Sequence, residues 1–384
     1  MNLKTLDKFV NKFSELLNEN QYDYCLEMLT KQLKKGKFAM YTELWNKLYL
    51  KNLESRKSRD IILGQNGVKI PICKVTKHNH ILAFYLENCK LDNNETIWRV
   101  DTHSDLNPIA DSRKLKNLAD SYRKTRAKKY LVEAQKLVWD IGAAKSGVLF
   151  TIGIHNLVWG LPSWVPDKQI SINYIIKETK RNLHLTSLDD LSHKKNMDEW
   201  GYTQTTSKSK SKNFYKIQTG RLTKKGYSRL RDALKNGSNK NYILDIDLDY
   251  FVSNGEPFTK RYYEDSYDLC SYYRTKDTIA NQKFPRNALE SSRDLDKYNK
   301  DLISELKIID VRIKIFFNIL KKLKKESLTP SLISICDSTN VIFNNCNELE
   351  PDCNSLSNGY LPMYFALYIH NKIDRGLRKL ISKN

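Results

Sequence analysis

The sequence predicts an α/β fold: a mainly parallel sheet flanked by helices, preceded by a helical extension at the amino end. Three features predict it. Beyond residue 60, short β-prone runs alternate with helix-like stretches. The two most acidic motifs each end such a run. The first fifty-odd residues instead place apolar side chains at helical spacing. Alternating strand and helix signals are the mark of a parallel sheet, whose ligand site lies beyond the carboxyl ends of its strands.

Leu6, Phe9, Val10, Phe13, Leu16 and Leu17 recur with helical period, and Phe38, Tyr41, Leu44 and Leu48 continue the pattern. Residues 1–57 are therefore read as a helical extension packed as a cap on the body, which occupies residues 58–384. In the body, strands are expected over Ile61–Leu63, Ile97–Asp101, Gly147–Ile154, Ile170–Ile176, Tyr242–Asp249 and Leu332–Cys336. Residues 203–225, with Lys208, Lys210 and Lys212 alternating with serines and then Tyr215, Arg221, Lys224 and Lys225, read as a basic loop or insertion. Leu302, Leu306, Ile309, Ile313, Phe316, Phe317 and Leu320 form one face of a helix covering the sheet. It ends in Lys321, Lys322, Lys324 and Lys325, charges that suit a helix carboxyl terminus.

With 384 residues of which 40% are hydrophobic, the chain can bury a substantial core, and global disorder is a poor description. The formal charge of +21 favours an anionic or acidic partner. Seven cysteines without a C-x-x-C pair argue against a disulfide scaffold or a zinc knuckle and fit a reducing, cytoplasmic setting. No signal-peptide pattern opens the chain, and no apolar run is long enough to suggest a membrane span.

The chemistry concentrates in two places. Trp98-Arg-Val-Asp-Thr-His-Ser-Asp-Leu106 puts Asp101, His103 and Asp105 at alternating positions at a strand end. Asn241-Tyr-Ile-Leu-Asp-Ile-Asp-Leu-Asp-Tyr-Phe251 does the same with Asp245, Asp247 and Asp249 on an otherwise apolar strand. Carboxylates gathered on a buried strand repel one another and need cations or protons. An oxygen-rich set with one imidazole suits a divalent ion such as manganese. His78 and His80 are equally eligible as a further ligand from a loop. Such a ligand set fits a binuclear centre that activates water for attack on carbon or phosphorus.

Asp101-Thr-His-Ser-Asp105 followed by Asp245-Ile-Asp-Leu-Asp249 resembles the arginase and deacetylase superfamily, and more closely its peptide-arginase branch, over roughly residues 60–370. His78 stands 23 residues before Asp101, the spacing of the first histidine ligand in arginases, so the resemblance selects His78 over His80. It implies two Mn2+ ions held by His78, Asp101, His103, Asp105, Asp247 and Asp249. Asp245 stands where ordinary arginases have a serine. Ser334-Ile-Cys-Asp-Ser-Thr-Asn340 resembles the late strand whose carboxylate grips the substrate guanidinium, which gives Asp337 that role. The Asn-x-His-Gly segment of ordinary arginases has no match after Asp105; His155, in Gly153-Ile-His-Asn-Leu157, is either a proton shuttle or a buried histidine held by backbone.

The resemblance implies a hydrolase that converts arginine side chains of a ribosomally made precursor peptide to ornithine with release of urea, Asp105 assisting proton transfer. Tyr122, Arg123, Arg126, Lys128 and Tyr130, after the first motif, suit a larger or more open groove. A metal-dependent deacetylase is the nearest alternative and a metallophosphatase a weaker one. A basic nucleic-acid-binding protein would use the Lys-rich segment, but no nucleic-acid motif accompanies the charge. The positive surface also suits an acidic leader segment of the precursor peptide.

Overall fold

The computed structural model describes residues 3–35, 41–64, 67–76, 81–88, 96–100, 112–140, 171–175, 184–185, 215–219, 231–232, 234–235, 241–252, 292–337, 361 and 363–382. The helices are α1 Leu3–Asn18, α2 Tyr22–Lys34, α3 Thr42–Ser55, α4 Leu82–Asn88, α5 Ser112–Thr125, α6 Lys128–Asp140, α7 Ser292–Lys325 and α8 Met363–Ser382. The strands are β1 Arg59–Leu63, β2 Lys69–Val75, β3 Thr96–Val100, β4 Ser171–Ile175, β5 His184–Leu185, β6 Tyr215–Thr219, β7 Asn241–Asp247 and β8 Thr329–Cys336. They form an 8-stranded sheet in the order β1-β2-β8-β7-β3-β4-β6-β5. Every pairing from β2 across to β6 is parallel, and the end strands β1 and β5 are antiparallel to their neighbours. This is a mixed α/β fold with helices on both faces of the sheet.

The alternation of side chains along each strand sorts the two faces. Tyr242, Leu244 and Ile246 of β7, Ile333 and Ile335 of β8, Ile70 and Ile72 of β2, and Trp98 and Val100 of β3 belong to one hydrophobic cluster with α1, α2, α3, α7 and α8. Trp98 lies between Tyr242 and Phe316 of α7, with ring centroids 6.0 and 5.8 Å away. The opposite face carries Ile243, Asp245 and Asp247 of β7 and Leu332, Ser334 and Cys336 of β8. There Tyr85 of α4 reaches Ser334. The apolar stripes that predicted helices at Leu6–Leu17 and Leu302–Leu320 do become α1 and α7, whose inner sides Phe13, Ile309, Phe316 and Leu320 bury against the sheet or its neighbours.

Some differences from the sequence expectation have local causes. β2 carries Pro71 between Lys69 and Lys74, which weakens its strand signature, yet it lies inside the sheet between β1 and β8. Tyr215–Thr219, inside the segment read as a basic loop, is strand β6, where Tyr215, Ile217 and Thr219 alternate with Lys216 and Gln218. β7 ends at Asp247 rather than Asp249, and Leu248–Phe251 continue as a 3-10 turn. Arg312 of α7 donates to the carbonyls of Tyr250 and Val252 and so ties that turn to the helix. The Gly147–Ile154 expectation lies outside the described residues. No helix among the described residues is long and apolar enough to cross a membrane.

Candidate functional site

Strand pairing sets the strands that lead into the two acidic motifs side by side. β3 and β7 run parallel and adjacent, with Val100 level with Ile246. Asp101 is the next residue after β3, and Asp247 the next after Ile246. On the other side of β7, Asp245 is level with Ser334 and Asp247 with Cys336 of β8. The carboxyl ends of β3, β7 and β8 thus converge at one edge, where a parallel sheet binds its ligands.

Asp245 and Asp247 are both buried. Ser334 Oγ donates to Asp245 Oδ1 at 2.6 Å and in turn lies 2.6 Å from the Tyr85 hydroxyl, which leaves Tyr85 as the donor in that second bond. This relay holds Asp245 against α4. Asp247, two residues on, shares the same face by the pleat.

Asp337, the residue that follows β8, turns to the other face. It is 0% exposed, and its backbone N–H donates to the Val75 carbonyl at 2.8 Å, extending the β2–β8 ladder by one rung. Its Oδ2 accepts from Arg56 Nη2 at 2.7 Å and from the Tyr49 hydroxyl at 2.9 Å. Its Oδ1 accepts from His370 Nδ1 at 2.6 Å, while Arg56 Nη1 lies 2.9 Å from that same nitrogen and 3.3 Å from Nε2, the ring's acceptor when Nδ1 carries the proton. Asp337 does meet a guanidinium, that of Arg56 in the same chain. Helices α3, through Tyr49 and the residue after its end, and α8, through His370, are pinned to the sheet edge by one carboxylate.

The charges in this cluster shape one another. Burial by itself would raise the Asp337 carboxyl pKa, but Arg56 and His370 outweigh it and hold the group well below the carboxylate range. Burial lowers the His370 pKa, reinforced by Arg56 and opposed by Asp337, so the imidazole is neutral near pH 7. Next to them Lys74 reaches Asp374 at 3.0 Å, Arg378 Nε lies 3.2 Å from Asp374, and Arg378 Nη2 donates to Asp60 at 2.5 Å. Burial pulls the Lys74 pKa down despite Asp374.

The expected ligands His78, Asp101, His103 and Asp105, together with His80 and the candidate shuttle His155, lie outside the described residues. Asp249 falls in the 3-10 turn after β7. Among the described residues, no group of three or more His, Cys, Asp or Glu could hold a metal ion. Two of the strand carboxylates face opposite layers. Asp245 is tied to Ser334 on the α4 face, while Asp337 is wrapped by Arg56, His370 and Tyr49 on the α3–α8 face. This finding overturns the expectation of a manganese-dependent hydrolase. The pair of Mn2+ ions, the conversion of peptidyl arginine to ornithine and urea, and the metal-dependent deacetylase alternative fall with it.

The aromatic and basic stretch after the first motif spans the end of α5, a two-residue turn and the start of α6. Arg126 takes a left-handed backbone conformation there, with φ of 55°, and its guanidinium carbon lies 5.6 Å from the Tyr122 ring centre. Sequence reasoning missed Arg56, His370, Tyr49, Lys74 and Asp374. Arg56 and Lys74 look like ordinary surface cations in the sequence, and only long-range packing turns them inward. No protein-family model matches the chain, and no curated protein matches it.

Proposed function

We propose that this chain is a peptide-recognition protein on an arginase/deacetylase-like α/β scaffold, and that the carboxyl edge of its sheet takes the guanidinium of an arginine in that peptide. Asp247, with Asp101 and Asp105 from the neighbouring motif, supplies the carboxylates. Such groups accept parallel hydrogen bonds from a planar guanidinium and lose less by burial when a cation joins them. The remainder of the peptide is acidic and meets the basic exterior, in keeping with the charge of +21.

The observation that carries the reading is the pairing of β3 with β7, which sets side by side the strands that lead into two acidic motifs far apart in sequence. The Arg56–Asp337 pair adds a chemical precedent within the chain, a strand-end carboxylate holding a guanidinium.

Titration calorimetry with an arginine-containing acidic peptide tests the proposal against the same peptide carrying citrulline, which keeps the shape and removes the charge. Arginine is expected to bind at least about tenfold more tightly, roughly 1.4 kcal/mol, and Asp247→Asn to abolish the difference while leaving the circular dichroism spectrum unchanged. Equal affinity for the two peptides would sink it.

A further inference from the structure

Helix α7 buries Ile309, Ile313, Phe316, Leu320 and Leu323 against the body, and its outer side has a repeat of its own. Lys300, Lys307, Lys314 and Lys321 stand seven residues apart, and all are exposed. Successive members are roughly 10 Å apart along the axis. Beside the stripe, near its middle, Val311 is 56% and Ile315 36% exposed. Ser304 and Asn318, exposed on the same side, add no charge to it, and Asp310, the acid beside Lys307 and Lys314, is engaged by Lys372 and the Tyr368 hydroxyl.

A seven-residue repeat on a helix of 3.6 residues per turn drifts by about 20° per repeat, so the stripe winds slowly around the axis. A second helix follows that drift by supercoiling, with its own groups recurring every seventh residue. Exposed Val311 and Ile315 offer nothing to a phosphate backbone, whereas they pack against the apolar seam of an amphipathic helix. The lysines alongside complement acids on that helix.

We infer that the outer face of α7 docks an acidic amphipathic helical segment, glutamate or aspartate recurring every seventh residue beside an apolar seam. It rests on the peptide-recognition reading above and supplies the docking surface for the acidic part of the peptide. The arginine site and this stripe are then two contacts of one partner, and linking them raises overall affinity through effective concentration.

The test uses the full chain and a labelled, arginine-free peptide with glutamate at every seventh position and leucines between, followed by fluorescence anisotropy and by the peptide's circular dichroism. Binding with a gain of peptide helicity is expected. The double variant Lys307→Glu/Lys314→Glu should weaken it roughly tenfold through charge, and Val311→Ser/Ile315→Ser roughly tenfold through lost apolar contact. The four residues lie on the outer side of α7, so both variants should stay folded, as an unchanged circular dichroism spectrum of the chain alone would show. No binding, or binding that either double variant leaves unchanged, overturns the inference. So does tighter binding of a single-stranded DNA of equal charge that ignores the Val311→Ser/Ile315→Ser change. Running the arginine-versus-citrulline titration on the same preparations separates the two ideas: arginine preference without acidic-peptide binding rejects the α7 surface alone.

Discussion

At Asp337 a single carboxylate joins three parts of the chain, and its surroundings dictate what substitution does. Asp337→Asn leaves the Arg56 guanidinium buried without its charge partner, its side chain being 8% exposed. Breaking a buried pair from one side costs about 3–5 kcal/mol, whereas replacing both partners by apolar groups is often near neutral. Urea denaturation should therefore show a large loss for Asp337→Asn and a much smaller one for Arg56→Met/Asp337→Leu. The pH dependence has a definite sign. Both Asp337 and His370 have folded pKa values below their ordinary values of 3.8 and 6.5, so the unfolded chain takes up protons first as pH falls. Stability is expected to be full above pH 6.5, to decline below it as His370 resists charging, and to decline further below pH 3.8 as the Asp337 contribution is lost. His370→Asn should flatten the upper part of that decline in urea titrations repeated across pH. Loss of stability on raising pH from 5 to 7 would contradict the buried neutral imidazole.

Among the elements, α7 and α8 meet closely at Gly376. A Cβ built there would run into the tip of the Phe317 ring, far inside contact distance. Alanine has the better helix propensity by about 1 kcal/mol, but the clash forces the ring aside, and overpacking of this kind costs about 1–3 kcal/mol. Gly376→Ala should thus lower the melting temperature, and adding Phe317→Leu should restore most of it. β2 shows why some elements are hard to read. Pro71 and two lysines mask its period, and its interior place is decided by β8, a neighbour distant in sequence. β7, by contrast, is legible, because Ile243, Leu244 and Ile246 belong to a compact β-prone run.

For the whole molecule, an excess of positive charge sets a long-range repulsion against a short-range ionic cluster. The formal charge of +21 destabilises the compact state at low ionic strength, and salt screens exposed charges much more than buried ones. Moderate sodium chloride should raise the melting temperature of the wild-type protein, and the increment should persist in Asp337→Asn, because the buried pair is not what salt reaches. In the proposed reading the same excess charge draws acidic partners to α7, while the sheet edge takes a cation.

Composition, period and motif spacing by themselves determined the α/β class, the amphipathic helices α1 and α7, and the strand that carries Asp245 and Asp247. These follow from local rules: side-chain alternation in strands and a turn of 3.6 residues in helices. Only the tertiary structure decided that β3 and β7 are neighbours and that Asp245 and Asp337 face opposite layers. It also decided that Asp337 is taken by Arg56, a residue whose sequence neighbours give no hint of burial. The sequence supplies the carboxylates, but the partner each one meets depends on which helix the fold lays over which face. That is a matter of packing between segments hundreds of residues apart, and no local pattern encodes it.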